Sequence, residues 1–418
     1  MRVLLVSTYD LGRQPTGLAA AAASLRAAGH EVVCVDASRD RVEDAQIGGA
    51  DRVSVYLPMH TATRLALPLI ARTARVNPGA RITAFGLYAQ LNAGFLLERG
   101  VHAIEDDTAP TSFDRTGLPA LSRYATLQMP DGSHRVVGST DATRGCKHLC
   151  RHCPIVPVYH GRFRAIPADV VLRDVATQVA AGAQHISFGD PDFFNGPTHA
   201  RRILERLAAD HPGLTYDVTI KVEHLLRHAD LLPLLRDTGC LFVTSAVESV
   251  DDAVLEQLAK GHTRADFARV VGLCREIGLT LSPTFVPFTP WTTVESYLDL
   301  LTTLESLDLV EHVAPIQLAI RLLVTAGSPL LDLPDIRGVV QPFDAQTLTW
   351  PWRHADARVD ALQEQVMRVA GTSAHGSRAT TFAVVMNAAR AAAGQPPRST
   401  RPARVRATVP YLDEPWYC

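Results

Sequence analysis

Three cysteines crowd into one short segment, Gly145-Cys146-Lys147-His148-Leu149-Cys150-Arg151-His152-Cys153-Pro154-Ile155. Their spacing is C-x3-C-x2-C. Thiolates are soft, polarizable donors, and three on one loop can hold three corners of a [4Fe–4S] cluster. No fourth cysteine stands nearby, which leaves one iron open to a substrate or cofactor. Zinc is the competing reading, with His148, His152 or His160 as fourth ligand. Three unligated thiols in a loop is the plain one. Cys34, Cys240 and Cys274 are isolated, and Cys418 is the last residue. Seven cysteines is an odd number and too few for a disulfide scaffold of 418 residues. The pattern reads as reduced thiols plus one metal site in a cytoplasmic protein.

Such a loop needs a rigid frame, and the flanking sequence predicts one. Apolar runs at 2–7, 31–36, 52–58 and 81–86 read as buried parallel strands. Helical stretches separate them, including the Ala-rich segment ending at Gly29. Short strand–helix alternation implies a doubly wound sheet over residues 1–108. A linker follows over 109–137, in which Pro130-Asp131-Gly132 reads as a hairpin turn. Beyond the cysteines the rhythm resumes. Strands are expected at 185–190, 214–220, 241–248, 280–286 and 314–324, each with its helix. That makes a partial (β/α)6 barrel over 138–330, a fold that carries its chemistry at the carboxyl ends of its strands. Residues 331–418 form a small, mostly helical C-terminal region, with helices expected over 356–370 and 379–393.

Composition narrows the partners. Lys plus Arg is 41 and Asp plus Glu is 43, giving a formal net charge of −2. A near-neutral chain exerts no general pull on nucleic acid or anionic lipid. Only 394–406 is Arg-rich, so nucleic acid is disfavoured as a partner. No apolar run is long enough to span a bilayer, and the first residues, MRVLLVSTYD, lack the features of a signal peptide.

With the cysteine motif opening a repeated βα unit, residues 138–325 resemble the radical S-adenosylmethionine (SAM) enzymes. The resemblance implies that the open iron chelates the methionine amino and carboxylate groups, and that reductive cleavage of a C–S bond follows. An external reductant such as flavodoxin or ferredoxin is implied with it. His152 stands where the family often has an aromatic residue near adenine. Gly189 and Asp190 resemble the segment receiving the methionine amino group. Lys221 and Glu223 end the third strand, where the family places groups for the ribose or carboxylate. Ser245 and Glu248 end the fourth, on the cofactor side, with Glu248 also a catalytic candidate. Gln317 and Arg321 fall on the expected sixth strand. FVPFTPWTT (285–293) is expected to close over the barrel mouth.

A doubly wound domain before such a cluster resembles the cobalamin-binding domain of B12-type radical enzymes. The D-x-H-x-x-G pattern that supplies a histidine to cobalt is absent, and Phe85-Gly86-Leu87 replaces a common Gly-Gly turn. The resemblance implies methylation of a small-molecule substrate, by cobalamin if it is bound. Transfer of the 3-amino-3-carboxypropyl group of SAM to a soft acceptor such as trivalent arsenic is the alternative. A zinc or redox-sensing binding protein is the alternative from another class. The Gly145–Ile155 loop, Pro290-Trp291-Thr292-Thr293 and the terminal EPWYC further resemble the group with a Cys-Sec-Ala-Glu-Pro or Cys-Cys-Ala-Glu-Pro tail. That resemblance places selenocysteine or cysteine after Cys418, as if a UGA codon had been read as a stop. It makes Cys418 a reactive thiol able to bind a soft substrate or supply a hydrogen atom.

Overall fold

The computed structural model describes residues 1–106, 108–372, 377–398 and 409–413. Its first sheet holds β1 (Arg2–Ser7), β2 (Glu31–Asp36), β3 (Arg52–Tyr56), β4 (Arg81–Phe85) and β5 (Ala103–Ile104), ordered β2-β1-β3-β4-β5. All its pairings are parallel. The four expected strands form where the apolar runs lie. The short β5 carries no such run and was not expected. The strand order reverses beside β1, which opens a crevice at the carboxyl ends of β1 and β3.

Helix Thr16–Ala27 packs on this sheet through Leu18, Ala19 and Ala22, all fully buried. Small side chains let the helix approach closely. Gly17 is the extreme case: a Cβ there would lie 2.2 Å from the Tyr56 ring. Each fully buried Leu or Val in this layer contributes about 1.5–3 kcal/mol of transfer free energy.

The second sheet contains β6 (Thr126–Gln128), β7 (His134–Thr140), β10 (His185–Phe188), β11 (Thr215–Thr219), β12 (Cys240–Glu248), β13 (Thr280–Phe285) and β14 (Tyr411–Leu412). A separate ribbon pairs β8 (Thr143–Gly145) with β9 (Phe163–Ala165). The order of the large sheet is β13-β12-β11-β10-β7-β6-β14. Strands β7 and β10 to β13 are parallel and curl into a half-barrel. The hairpin around Pro130-Asp131-Gly132 is present, and its second strand is also the first barrel strand. The late segment Tyr411–Leu412 extends this sheet, since β14 adds antiparallel to β6.

No regular strand forms over 314–324. Residues Pro315–Leu318 make a 3-10 helix, and Arg321 contributes one isolated bridge to Phe288. The physical reason is local. Gln317 Oε1 accepts the Phe285 N–H at 3.1 Å, the last ladder donor of β13. A side-chain amide thus takes the place of a neighbouring strand's carbonyl. Helices Ala357–Thr372 and Arg378–Ala392 cover this side, with Val359, Leu362, Val366, Phe382 and Val385 joining the barrel core.

The two sheets are pinned by a buried ion pair. Arg115 donates to both Asp174 carboxylate oxygens at 2.8 Å, to Gln14 Oε1 at 2.7 Å and to the Ser139 carbonyl at 2.6 Å. Gln14 belongs to the loop after β1, and Ser139 to β7. Among the described residues, no helix is long and apolar enough to cross a membrane.

Candidate active site

The cysteine loop runs from β8 to the short helix Val156–Tyr159. Gly145 begins it at φ 80°, where a Cβ would lie 2.5 Å from the Arg162 carbonyl oxygen. Only glycine turns the chain into this loop without strain. The loop is tied to the barrel: Arg151 donates from its backbone to the Leu258 carbonyl at 3.0 Å and from its guanidinium to that of Gln257 at 2.8 Å. Cys146, Cys150 and Cys153 are free thiols, Cys150 buried and the others half-buried. Burial pushes the Cys153 thiol up to about 12 and raises Cys146 as well. A bare thiolate is costly here, so ionisation awaits a bound metal centre. Three thiols on one short loop without a fourth fit a [4Fe–4S] cluster with one open iron.

Glu248 ends β12 with φ 68°, a left-handed conformation that costs a non-glycine residue about 1–2 kcal/mol. Its Oε1 accepts from Lys260 Nζ at 3.3 Å and lies 3.1 Å from His152 Nε2. Burial pushes the carboxyl up, but Lys260 and His152 outweigh it and hold Glu248 at about 2. His152 is thereby braced by a carboxylate. Burial lowers the Lys260 pKa, but the Glu248 carboxylate outweighs it and holds Lys260 above its ordinary value, with Cys150 and Cys153 close by. The Lys260-Gly261-His262 turn was not singled out from sequence. Its signals are Ala259 and Gly261, both at positive φ. His262 is 6% exposed, and burial beside Lys260 and Lys221 lowers it to about 4, so it stays neutral.

Lys221 Nζ lies 3.3 Å from Glu223 Oε2 and 3.2 Å from His148 Nδ1. Burial pushes Glu223 up, but Lys221 and His148 hold its pKa below the ordinary value. Arg227 braces the other carboxylate oxygen at 2.6 Å. These residues and the cysteines surround one end of the half-barrel.

Other expected residues sit differently. Asp190 is 2% exposed, and its two oxygens accept from Ala142 N at 2.8 Å and Thr143 Oγ1 at 2.6 Å. Burial, with Asp141 nearby, raises it to about 7. It pins the turn before the cysteine loop instead of facing a ligand. Its neighbours Gly189 and Pro191 line the adjoining cavity. Ser245 is fully buried within β12, its hydroxyl without a hydrogen-bond partner. Gln317 caps β13, as described. Arg321 pairs with Asp360 at 2.7 Å and stacks over Trp352. Neither matches the cofactor role expected of it, because the sixth strand that would have aimed both inward does not form. Thr292 is 4% exposed and hydrogen-bonds to Thr289 and to the Pro287 carbonyl, so it stiffens its own loop. Cys418 lies outside the described residues.

A cavity of about 220 Å³ opens between the carboxyl ends of the two sheets. Asp10, Arg13, Tyr56, Met59 and Leu87 line it from the first sheet; Ser139, Asp141, Arg144, Gly189 and Tyr159 line it from the barrel. Burial pushes Asp10 up to about 7. The volume is below the roughly 300–1,000 Å³ of sites for drug-sized ligands. The Tyr56 ring occupies the space beside Gly17 and Gly86 at the rim of this cavity.

Residues 141–304 match the model of the Radical SAM superfamily. This segment thus carries a radical SAM domain, a class that uses a [4Fe–4S] cluster and S-adenosylmethionine. The expectation of a zinc or redox-sensing binding protein finds no support in this match. Among curated relatives, the chain is 26% identical over 197 residues to a tRNA-2-methylthio-N(6)-dimethylallyladenosine synthase of Fusobacterium nucleatum, covering 42% of this chain and 41% of that one. It is 27% identical over 173 residues to the ribosomal protein uS12 methylthiotransferase RimO of Geotalea uraniireducens, covering 38% and 37%. The chain spans about two fifths of the length of these relatives. The cobalamin-dependent radical enzyme OxsB, solved with aqua-cobalamin and SAM, superposes with a TM-score of 0.66 at 12% identity, over 87% of this chain and 66% of that one. The methyltransferase TsrM from Kitasatospora setae, with cobalamin and a [4Fe–4S] cluster, gives 0.56 at 17% identity, over 73% and 70%. These likenesses establish the shared fold.

Proposed function

We propose that this enzyme transfers a group derived from SAM to a small molecule held between its two sheets. One observation carries the reading: the carboxyl ends of both sheets converge on one cavity, whose lining residues Gly145 and Ile155 flank the cysteine loop. When bound to Cys146, Cys150 and Cys153, the cluster supplies the electron that cleaves a C–S bond of SAM. The chain's own residues do the rest. Lys221 and Lys260 offset negative charge around the thiolates. Glu248 braces His152, and Glu223 holds Lys221. Gly189 leaves room for the Asp141 carboxylate at the cavity wall, and the first sheet covers the reacting end from water.

Cobalamin-dependent methylation is one form of this transfer, supported by the fold shared with OxsB and TsrM. A second form is transfer of the 3-amino-3-carboxypropyl group, which needs no corrinoid. The Gly145–Ile155 loop and the Pro290–Thr293 segment support membership of the group with the Cys-Sec or Cys-Cys tail, with Cys418 as a reactive thiol. The relatives act on a tRNA base or a ribosomal protein by name, whereas a formal charge of −2 supports a small molecule here. A flavodoxin or ferredoxin is the reductant in this reading.

Anaerobic reconstitution with dithionite and SAM tests it. Methylthioadenosine supports 3-amino-3-carboxypropyl transfer, S-adenosylhomocysteine, alone or with 5′-deoxyadenosine, supports methylation, and 5′-deoxyadenosine alone points to hydrogen abstraction instead of transfer. A cluster-loaded protein that leaves SAM intact overturns the proposal. Addition of hydroxocobalamin separates the first two forms: uptake of one equivalent per chain is required for the first only.

A further inference from the structure

Behind the cysteine loop, three side chains from three different segments meet. His148 comes from the loop between Cys146 and Cys150. Asp192 follows β10, and His224 lies in the helix Val222–Arg227 after β11. Their side chains are 12%, 2% and 0% exposed. The donor atoms all lie within 4.8 Å of one another. His148 Nε2 is 3.1 Å from His224 Nε2 and 3.5 Å from Asp192 Oδ2, while His224 Nδ1 is 2.7 Å from Asp192 Oδ2.

Hydrogen bonding leaves part of this cluster unsatisfied. Asp192 Oδ2 and His224 Nδ1 are close, yet neither has a hydrogen-bond partner of acceptable geometry. Both are fully buried, where an unpaired polar atom costs about 1–3 kcal/mol. Two imidazole nitrogens also face each other. His224 turns Nε2 to His148 and Nδ1 to Asp192, and a cation would take one nitrogen of each imidazole together with the carboxylate. The surroundings are those of ligands held in place. Asp192 Oδ1 accepts the Phe194 N–H at 3.0 Å, which fixes the carboxylate with Oδ2 pointing inward. Glu223 Oε2 lies 3.5 Å from His148 Nδ1, the outer carboxylate that commonly orients a metal-bound histidine. Lys221 shares that nitrogen at 3.2 Å; with a metal on Nε2, Nδ1 carries the proton and faces Glu223, and Lys221 remains paired with Glu223.

The geometry points to a second metal site, distinct from the cysteine cluster: a divalent ion of the zinc class on His148, Asp192 and His224. Two imidazoles and one carboxylate match that class, with one or more positions left for water. The ion would staple the cysteine loop to the ends of β10 and β11, fixing Cys146 and Cys150 before and after cluster assembly.

The test uses the enzyme with its cluster loaded, so that the thiols are not free to bind zinc. Iron and zinc are measured together after exposure to zinc and removal of loose metal, and cobalt(II) is titrated as a spectroscopic probe. About one zinc per chain beyond the cluster iron is expected. His224→Ala and Asp192→Asn should abolish it with the iron content retained, and Glu223→Gln should weaken it roughly 10–100-fold. A loaded wild-type enzyme that takes up no zinc and gives no cobalt(II) ligand-field bands overturns the site, as does equal zinc in both ligand variants. Neither result depends on SAM cleavage, so this inference can fail while the proposed function stands.

Discussion

Charge placement around the thiols is set by individual residues. Glu248 and Lys260 are both buried, and each is the other's compensation. Lys260→Met leaves a buried carboxylate with only His152 beside it, which costs about 3–5 kcal/mol. The double variant Lys260→Met/Glu248→Gln should recover part of that loss, as urea unfolding of the three proteins would show. Asp190 works in the opposite sense. Its folded pKa of about 7 lies above the ordinary 3.8, so the folded state holds the proton more tightly than the unfolded chain. Its contribution to stability is therefore greatest below pH 4 and is lost as pH rises through 7. Asp190→Asn should flatten the decline in unfolding free energy across that window. An unchanged slope would show that Asp190 is not the group responsible. Spacing alone made the cysteines legible at this scale, because their ligand set is contained within eight residues. The role of Asp190 was not legible: a carboxylate after a strand looks the same whether it faces a ligand or caps Ala142 and Thr143.

Two short turns position the site as elements. Gly145 launches the cysteine loop, and Gly145→Ala would drive a methyl group into the Arg162 carbonyl at a positive φ. A melting temperature several degrees lower and reduced iron retention after reconstitution are expected. The turn after Asp252–Gln257 carries Ala259 at φ 53°. Ala259→Gly removes that strain and should stabilise the enzyme by about 1 kcal/mol, the left-handed penalty less the added backbone entropy. Calorimetry would read both changes. Most elements were legible because apolar period and turn residues act locally. The exception, 314–324, has an apolar pattern suited to a strand. What it lacks is an available ladder, since Gln317 already occupies the terminal donor of β13.

At the scale of the whole molecule, the cavity exists because the carboxyl ends of the two sheets are held together. Arg115 and Asp174, 8% and 1% exposed, are central to that arrangement. Arg115→Met strands a buried carboxylate and removes its bonds to Gln14 and Ser139, with an expected loss of about 3–5 kcal/mol. Adding Asp174→Leu should restore much of the stability without restoring the link to Gln14. Limited proteolysis would then separate the effects: the double variant should still be cut more readily between the two sheets than wild type.

By itself the sequence determined the C-x3-C-x2-C spacing of the cysteines, most of the parallel strands of both sheets and the overall balance of charge. The first two depend on residues within a few positions of one another. The tertiary structure decided which polar groups meet. His148 reaches His224 across 76 positions, Gln317 reaches Phe285 across 32, and Arg115 reaches Asp174 across 59. Such contacts follow from how the half-barrel closes and how the sheets dock, and burial then fixes whether each charge is a ligand, a brace or a pin.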